Sequence, residues 1–320
     1  MLGFLYDSCD SDSSNTHTCF VPTSSSCLPH AGYYGMRPWD SRHGRILFRA
    51  YRSARSITII VWDPVTDERH ELPKPPLLFS YRWTTASGTC DHLDCHGQPF
   101  TVVFMSSVGD MFFSYVYSSE SGKPTSAALG GDDCVSYWKR SALVGNNLLY
   151  FVCEKYKRIV EYDLVTQKIS VIDLPAPFHK NEMCPTFVEL TTTEAGRLGF
   201  TRVEDFRLCL WSREVEHERW TLIKAIDLDK LQPINGTWTR TIKPYLVGSA
   251  EGVGVVFLFV NDELFTVDLR SDRVTKLNVA LRRGVGMVVP YVNFCTPGTS
   301  CHLPVLSLSS YQSTSLLICA

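Results

Sequence analysis

Cys90, His92, Cys95 and His96 crowd one short stretch of the chain. Cysteine and histidine are good zinc ligands, and four of them would complete a tetrahedral shell. The spacing argues against it. His96 directly follows Cys95, so the two side chains are poorly placed to face one ion, and Cys-x4-Cys is not a zinc-knuckle spacing. The preferred reading is an ordered loop with local hydrogen bonds, and no metal is expected. A second set of chemical groups is the aspartate of Trp62-Asp63, Tyr162-Asp163 and Val267-Asp268, each at the start of a turn. A ring of carboxylates could do acid–base work. The structural alternative is stronger, because Asp caps a turn by accepting backbone N–H bonds two residues on. Gly252-Val253-Gly254 lacks the third glycine, the following helix and the lysine of a phosphate loop. No Gly-x-Ser-x-Gly elbow and no His-Glu-x-x-His occurs. His43 and His70 could meet a nucleophile only through the tertiary fold. No catalytic residue, cofactor or metal is expected, and the chain reads as a non-enzyme.

Composition narrows the class further. The 320 residues carry 31 Lys plus Arg against 33 Asp plus Glu, a net charge of -2. Nucleic-acid and membrane-surface proteins usually show a basic excess, so neither partner is expected. At 44% hydrophobic the chain can bury a full core. The 12 cysteines are scattered from Cys9 to Cys319, unlike the dense spacing of secreted disulfide scaffolds. The start, Met1-Leu2-Gly3-Phe4-Leu5-Tyr6-Asp7, has no basic region and no signal-peptide pattern. No apolar run approaches the roughly 20 residues of a membrane helix. A reduced chain in the cytoplasm or nucleus is the expectation.

The elements that would position these groups are strands. Ser56 to Asp63 is β-branched and aromatic, turns at Pro64-Val65-Thr66-Asp67 and returns through Glu68 to Leu72. The phrase recurs at Arg158–Pro175 and at Leu264–Leu277, with weaker copies at Phe113–Gly122 and Leu208–Lys224. The turns fall near residues 63, 118, 163, 212 and 268. An all-strand period of about 50 residues points to a β-propeller with one four-stranded blade per repeat. An earlier strand also precedes each hairpin, as in Gly44–Phe48, Phe100–Phe104, Asn147–Val152, Gly196–Phe200 and Gly254–Leu258. Orphan strands at Gly3–Tyr6, Cys19–Pro22 and Met287–Phe294 supply a sixth blade built from both ends, which removes bare sheet edges. Six blades are expected. Seven would mean a repeat missed around residues 229–245. Residues 1–297 form one domain in this reading, and 298–320 an irregular or poorly ordered tail.

Several phrases, in order, carry a family resemblance. They are Gly3-Phe4-Leu5-Tyr6-Asp7, Phe20-Val21-Pro22-Thr23, Asp40-Ser41-Arg42-His43-Gly44-Arg45 and Val61 to Asp67. Cys90 to His96, Tyr115 to Glu120, Ser141 to Asn146 and Leu210 to Glu214 continue the series. Together they resemble the C-terminal region of grass F-box proteins over about residues 3 to 297. The resemblance implies an F-box-associated propeller that recruits a protein target to a Skp–cullin–F-box ubiquitin ligase. In that family an F-box, a helical Leu/Pro motif, precedes the Gly-Phe-Leu-Tyr strand, whereas two residues precede it here. The expectation is that the Skp adaptor is bound only if an upstream F-box exists, and that the target's identity lies outside the sequence.

Antiparallel blades fix which loops share a face. Loops between blades lie on the same side as those joining second to third strands. They are long at 74–82, 130–140, 176–185 and 229–243, and long loops on a rigid scaffold are where binding usually resides. This side also carries Arg52, Arg55, Trp138, Tyr156, Lys157, Arg158, Phe206 and Arg207. Arginine and aromatic residues are common interface anchors. They also pack between blades and solvate rims, and both readings stay open for this set. The rival to a binding module is a propeller enzyme with carboxylates and histidines converging in the channel. A third reading is a truncated, non-functional family member.

Overall fold

The computed structural model describes residues 3–9, 16–23, 33–53, 56–64, 66–73, 84–86, 99–108, 111–122, 125–130, 140–153, 158–175, 188–204, 206–214, 216, 218–228, 244–279 and 285–292. Every regular element among them is a strand. Strands β1 (Gly3–Cys9), β2 (Thr16–Pro22) and β3 (Tyr33–Tyr34) open the chain. Blade 2 follows as β4 (Met36–Arg42), β5 (Arg45–Ser53), β6 (Ser56–Asp63) and β7 (Glu68–Leu72). Blade 3 is β8 (Thr84–Ala86), β9 (Thr101–Val108), β10 (Met111–Ser118) and β11 (Thr125–Gly130). Blade 4 is β12 (Ala142–Val144), β13 (Leu148–Val152), β14 (Arg158–Asp163) and β15 (Ile169–Asp173). Blade 5 is β16 (Glu189–Thr192), β17 (Leu198–Glu204), β18 (Arg207–Glu214) and β19 (Arg219–Asp227). Blade 6 is β20 (Tyr245–Ala250), β21 (Val255–Val260), β22 (Glu263–Asp268) and β23 (Val274–Leu277). The last strand, β24 (Val288–Tyr291), pairs with β1, giving the order β24-β1-β2-β3 in blade 1.

The result is a six-bladed propeller of four-stranded antiparallel sheets. The closure expected from the orphan strands is present, with Gly3 opposite Tyr291 and Tyr6 opposite Val288. The chain's end thus supplies the innermost strand of a blade whose outer three come from its start. Two contacts fix the seam. The Tyr291 hydroxyl donates to the Gly44 carbonyl of blade 2 at 3.1 Å, and the Met287 amide donates to Asp7 Oδ1 at 3.1 Å. Gly248 on β20 lies against β24 so closely that a Cβ would stand 2.4 Å from the Val288 carbonyl oxygen. Only glycine fits that approach.

Both faces of each sheet must be apolar, because each blade is covered by a neighbour on both sides. Alternate side chains of one strand therefore enter different seams. Phe4 and Tyr6 pack with Val247, Phe257 and Phe259 of blade 6, whereas Leu5 between them packs with Ile46, Phe48 and Trp62 of blade 2. Six apolar clusters fill the six seams. Each buried Phe or Leu is worth about 1.5–3 kcal/mol against exposure.

The hairpin between third and fourth strands repeats one construction. Asp63, Asp163 and Asp268 start the turn, and the residue four positions on is left-handed: Asp67 (φ 57°), Gln167 (φ 56°) and Asp272 (φ 60°). In blade 3, Ser118 and Gly122 (φ 60°) take the two places. Asp163 Oδ1 accepts the Val165 and Thr166 amides at 2.8 and 3.2 Å, and Asp268 Oδ1 those of Arg270 and Ser271 at 2.8 and 3.1 Å. The aspartates are turn caps, as their positions suggested. Ile226 and Asp227 end β19, and residues 229–231 lie outside the described residues. So does the tail at 298–320.

Candidate functional site

Each innermost strand enters from a between-blade link and leaves at its own tight turn. The ring therefore has a link end and a turn end. Links span 73–83, 131–141, 174–188, 228–244 and 278–287, while Gly35 alone joins β3 to β4. Turn-end connections are short at 43–44, 64–67, 145–147, 164–168 and 251–254. Two are not: residues 87–100, which include the Cys90–His96 cluster, and 23–32. Cys90, His92, Cys95 and His96 lie outside the described residues. Among the described residues, no three His, Cys, Asp or Glu side chains are grouped to hold a metal.

The interface candidates divide in the same way. Arg55, Trp138, Tyr156 and Lys157 lie outside the described residues, and Arg52 is placed by its backbone near the link end of β5. Arg158 starts β14, half-exposed, with its Nε 3.2 Å from Asp173 Oδ1 across the edge pair. Phe206 occupies the β17–β18 turn in the left-handed region (φ 62°). Its carbonyl accepts the Leu228 amide at 2.8 Å, and its ring packs on the cluster of Val203, Leu208 and Leu228. Phe206 thus serves the blade 5–6 seam. Arg207 beside it is exposed and stands opposite Glu204 on one strand and Asp227 on the other. Arg202, buried two residues before Glu204, is ion-paired with it. Burial pushes the neighbouring Cys209 thiol up, although Arg207 and Arg202 pull it down.

The turn half of the axis holds a cluster that sequence reading did not assemble. Asp40 is on the inner strand of blade 2, Arg140 and Ser141 just precede that of blade 4, and Ser249 and Glu251 are at the end of that of blade 6. Arg140 Nε and Nη2 donate to Asp40 Oδ1 at 2.8 and 2.5 Å, and its Nη1 donates to the Ser249 carbonyl at 2.9 Å. Arg42 Nε donates to Asp40 Oδ2 at 3.1 Å, its Nη1 to Glu251, and its Nη2 to the Ser141 carbonyl at 2.6 Å. Glu251 Oε1 in turn accepts the Leu143 amide at 2.7 Å. Side-chain exposures of 5% for Asp40, 8% for Arg140 and 10% for Arg42 put the charges in the interior. Burial pulls the Arg42 guanidinium down, but Glu251 and Asp40 beside it outweigh that and hold it above its usual range. Two arginines meet two carboxylates, so the cluster is neutral. Its acids are spent on guanidinium groups and on the backbone amides of Ser41 and Leu143.

With a six-bladed ring and its ends in place, sequence comparison decides the lineage. A family model described as "F-box protein AT5G49610-like, beta-propeller" matches residues 37–297. The chain belongs to this family. No curated protein matches it. Among solved structures, this F-box-family propeller is similar to a chain of the nidogen/laminin complex, at 10% identity over 92% of this chain and 99% of that one, with a TM-score of 0.50. TolB from Acinetobacter baumannii follows at 10% identity, 90% and 64% coverage and a TM-score of 0.48. A catalytically inactive virginiamycin B lyase from Staphylococcus aureus, solved with quinupristin, gives 13%, 88%, 86% and 0.46. At such identities the likeness concerns the propeller fold alone.

Proposed function

We propose that this F-box-family propeller is a non-enzymatic recognition module that holds a protein target at its link end. The finer reading is the target-binding part of a plant F-box subunit of a Skp–cullin–F-box ubiquitin ligase, acting in the cytoplasm or nucleus. In that reading, contact with the Skp adaptor comes through an F-box, not through the ring. The observation that carries the proposal is the gathering of five long links at one end of a rigid ring. Such connections on a stiff scaffold are where recognition concentrates. The rival, a channel enzyme, needs free acids or bases on the axis. Asp40 and Glu251 are committed to Arg42 and Arg140, which argues for binding over catalysis. The function calls for no cofactor, metal, nucleic acid or membrane; among the described residues no helix is long and apolar enough to cross one.

Affinity purification of the full chain from plant cells tests the proposal. Partners captured by the wild type should be lost from Arg52→Ala/Arg158→Ala/Arg207→Ala and kept by a turn-end variant, Val165→Asp. Truncating true anchors costs about 2 kcal/mol or more each, enough to empty a micromolar complex. Retention by the triple variant, with loss from Val165→Asp, would place recognition at the opposite end.

A further inference from the structure

Blades of a propeller normally touch only their neighbours, so stability accrues seam by seam. The axial cluster breaks that pattern. Asp40 and Arg42 belong to blade 2, Arg140 and Ser141 to blade 4, Ser249 and Glu251 to blade 6, and these blades share no seam. We propose that Asp40, Arg42, Arg140 and Glu251 form an axial clasp, a conformational device that couples alternate blades across the channel and shuts its turn end. Three features carry this. The innermost strands present a bare edge to the axis, and the clasp satisfies it: Arg140 donates to the Ser41 and Ser249 carbonyls at 3.2 and 2.9 Å, Arg42 to that of Ser141, and Glu251 accepts the Leu143 amide. Unpaired edge groups are costly when buried. The charges balance two against two, so removing one member strands a buried charge. And the cluster lies where β4 and β20 run into their tight turns, with Arg140 and Ser141 meeting it from the entry to β12.

Native-state hydrogen exchange on the full chain tests the clasp. The variant Asp40→Asn, in blade 2, should speed amide exchange about tenfold or more at Leu143–Val144 in blade 4 and Leu246–Ala250 in blade 6, as local opening replaces opening of the whole ring. Faster exchange confined to blade 2 and its seam neighbours, blades 1 and 3, would overturn the proposal. Should Asp40→Asn fail to fold, Glu251→Gln at the more exposed edge of the cluster serves instead, with faster exchange expected at Asp40–Arg42 and Leu143. A paired replacement gives an independent reading. Arg42→Met/Glu251→Met removes both charges and should exchange more slowly at these sites than Arg42→Met alone. Exchange in the pair equal to the product of the two single effects would show that the groups act separately.

Discussion

The two ends of the ring solve the same problem, joining strands, by different means. At the turn end the described hairpins of blades 4 and 6 are finished locally. Asp163 and Asp268 accept the amides of their own turns, and left-handed Gln167 and Asp272 close them. At its centre, Asp40, Arg42, Arg140 and Glu251 close the axis. At the link end the chain spends long segments between blades, and charges such as Arg158 and Arg207 stand at the edge in partial exposure or open solvent. The difference teaches where change is tolerated. Satisfied, buried and locally closed groups fix the scaffold, while long connections can vary without disturbing a seam.

The largest effect expected is at the axis. Arg140→Ala should cost about 3–5 kcal/mol, because Arg42 alone is left to balance two carboxylates, Asp40 and Glu251. Chemical denaturation checks it, and a loss below about 1 kcal/mol would mean the axis is no more critical than the surface. Next comes the closing seam. Gly248→Ala drives a Cβ into the Val288 carbonyl, and overpacking of this kind costs about 1–3 kcal/mol. Thermal melting should also show the variant losing cooperativity if β24 separates from β20.

The turn caps come third. Asp163→Ala and Asp268→Ala should each cost about 1 kcal/mol, the usual scale for a lost side-chain cap. Their pH dependence sharpens the point. Bonds from the Val165 amide to Asp163, and from the Ser271 and Arg270 amides to Asp268, hold both carboxyls below their ordinary value. A folded-state pKa below the unfolded one adds stability that is present above about pH 4 and lost as pH falls through the folded value. Wild type should therefore exceed Asp163→Asn/Asp268→Asn at neutral pH, and the gap should close on acidification. A gap independent of pH would mean the caps act without their charge.

These contrasts also explain what the sequence made legible. The caps recur with the repeat, Asp163 and Asp268 bonding amides two and three residues on and Asp63 that of Thr66, so periodicity exposed them. Third and fourth strands such as β14 and β15 were readable for the same reason, being long, β-branched and joined by a short turn. Innermost strands other than β24 were not. β8, Thr84–Ala86, and β12, Ala142–Val144, are too short to show a period, and β4 interrupts its apolar run with Arg37, Asp40 and Arg42. The axial clasp was invisible because Asp40 meets Arg140, and Arg42 meets Glu251, only after the ring closes. No spacing rule links residues so far apart in the chain. The packing of Phe206 on the seam of blades 5 and 6 was likewise invisible, because its partners Leu228 and Leu258 lie well along the chain.

The smallest effect on stability belongs to the link end. Arg158→Ala and Arg207→Ala should change unfolding free energy by no more than about 0.5 kcal/mol, as exposed charges do. Their expected consequence is for binding, and the most direct measurement is hydrogen exchange of the chain free and in complex with a captured partner. Recognition at the link end predicts slowed exchange in the second-to-third-strand turns, at Ser53 and Ser56, at Glu204–Arg207 and at Val260–Glu263, with the turns at 64–67 and 164–168 unchanged. Protection confined to the latter turns, with the link end exchanging as in the free chain, would contradict it.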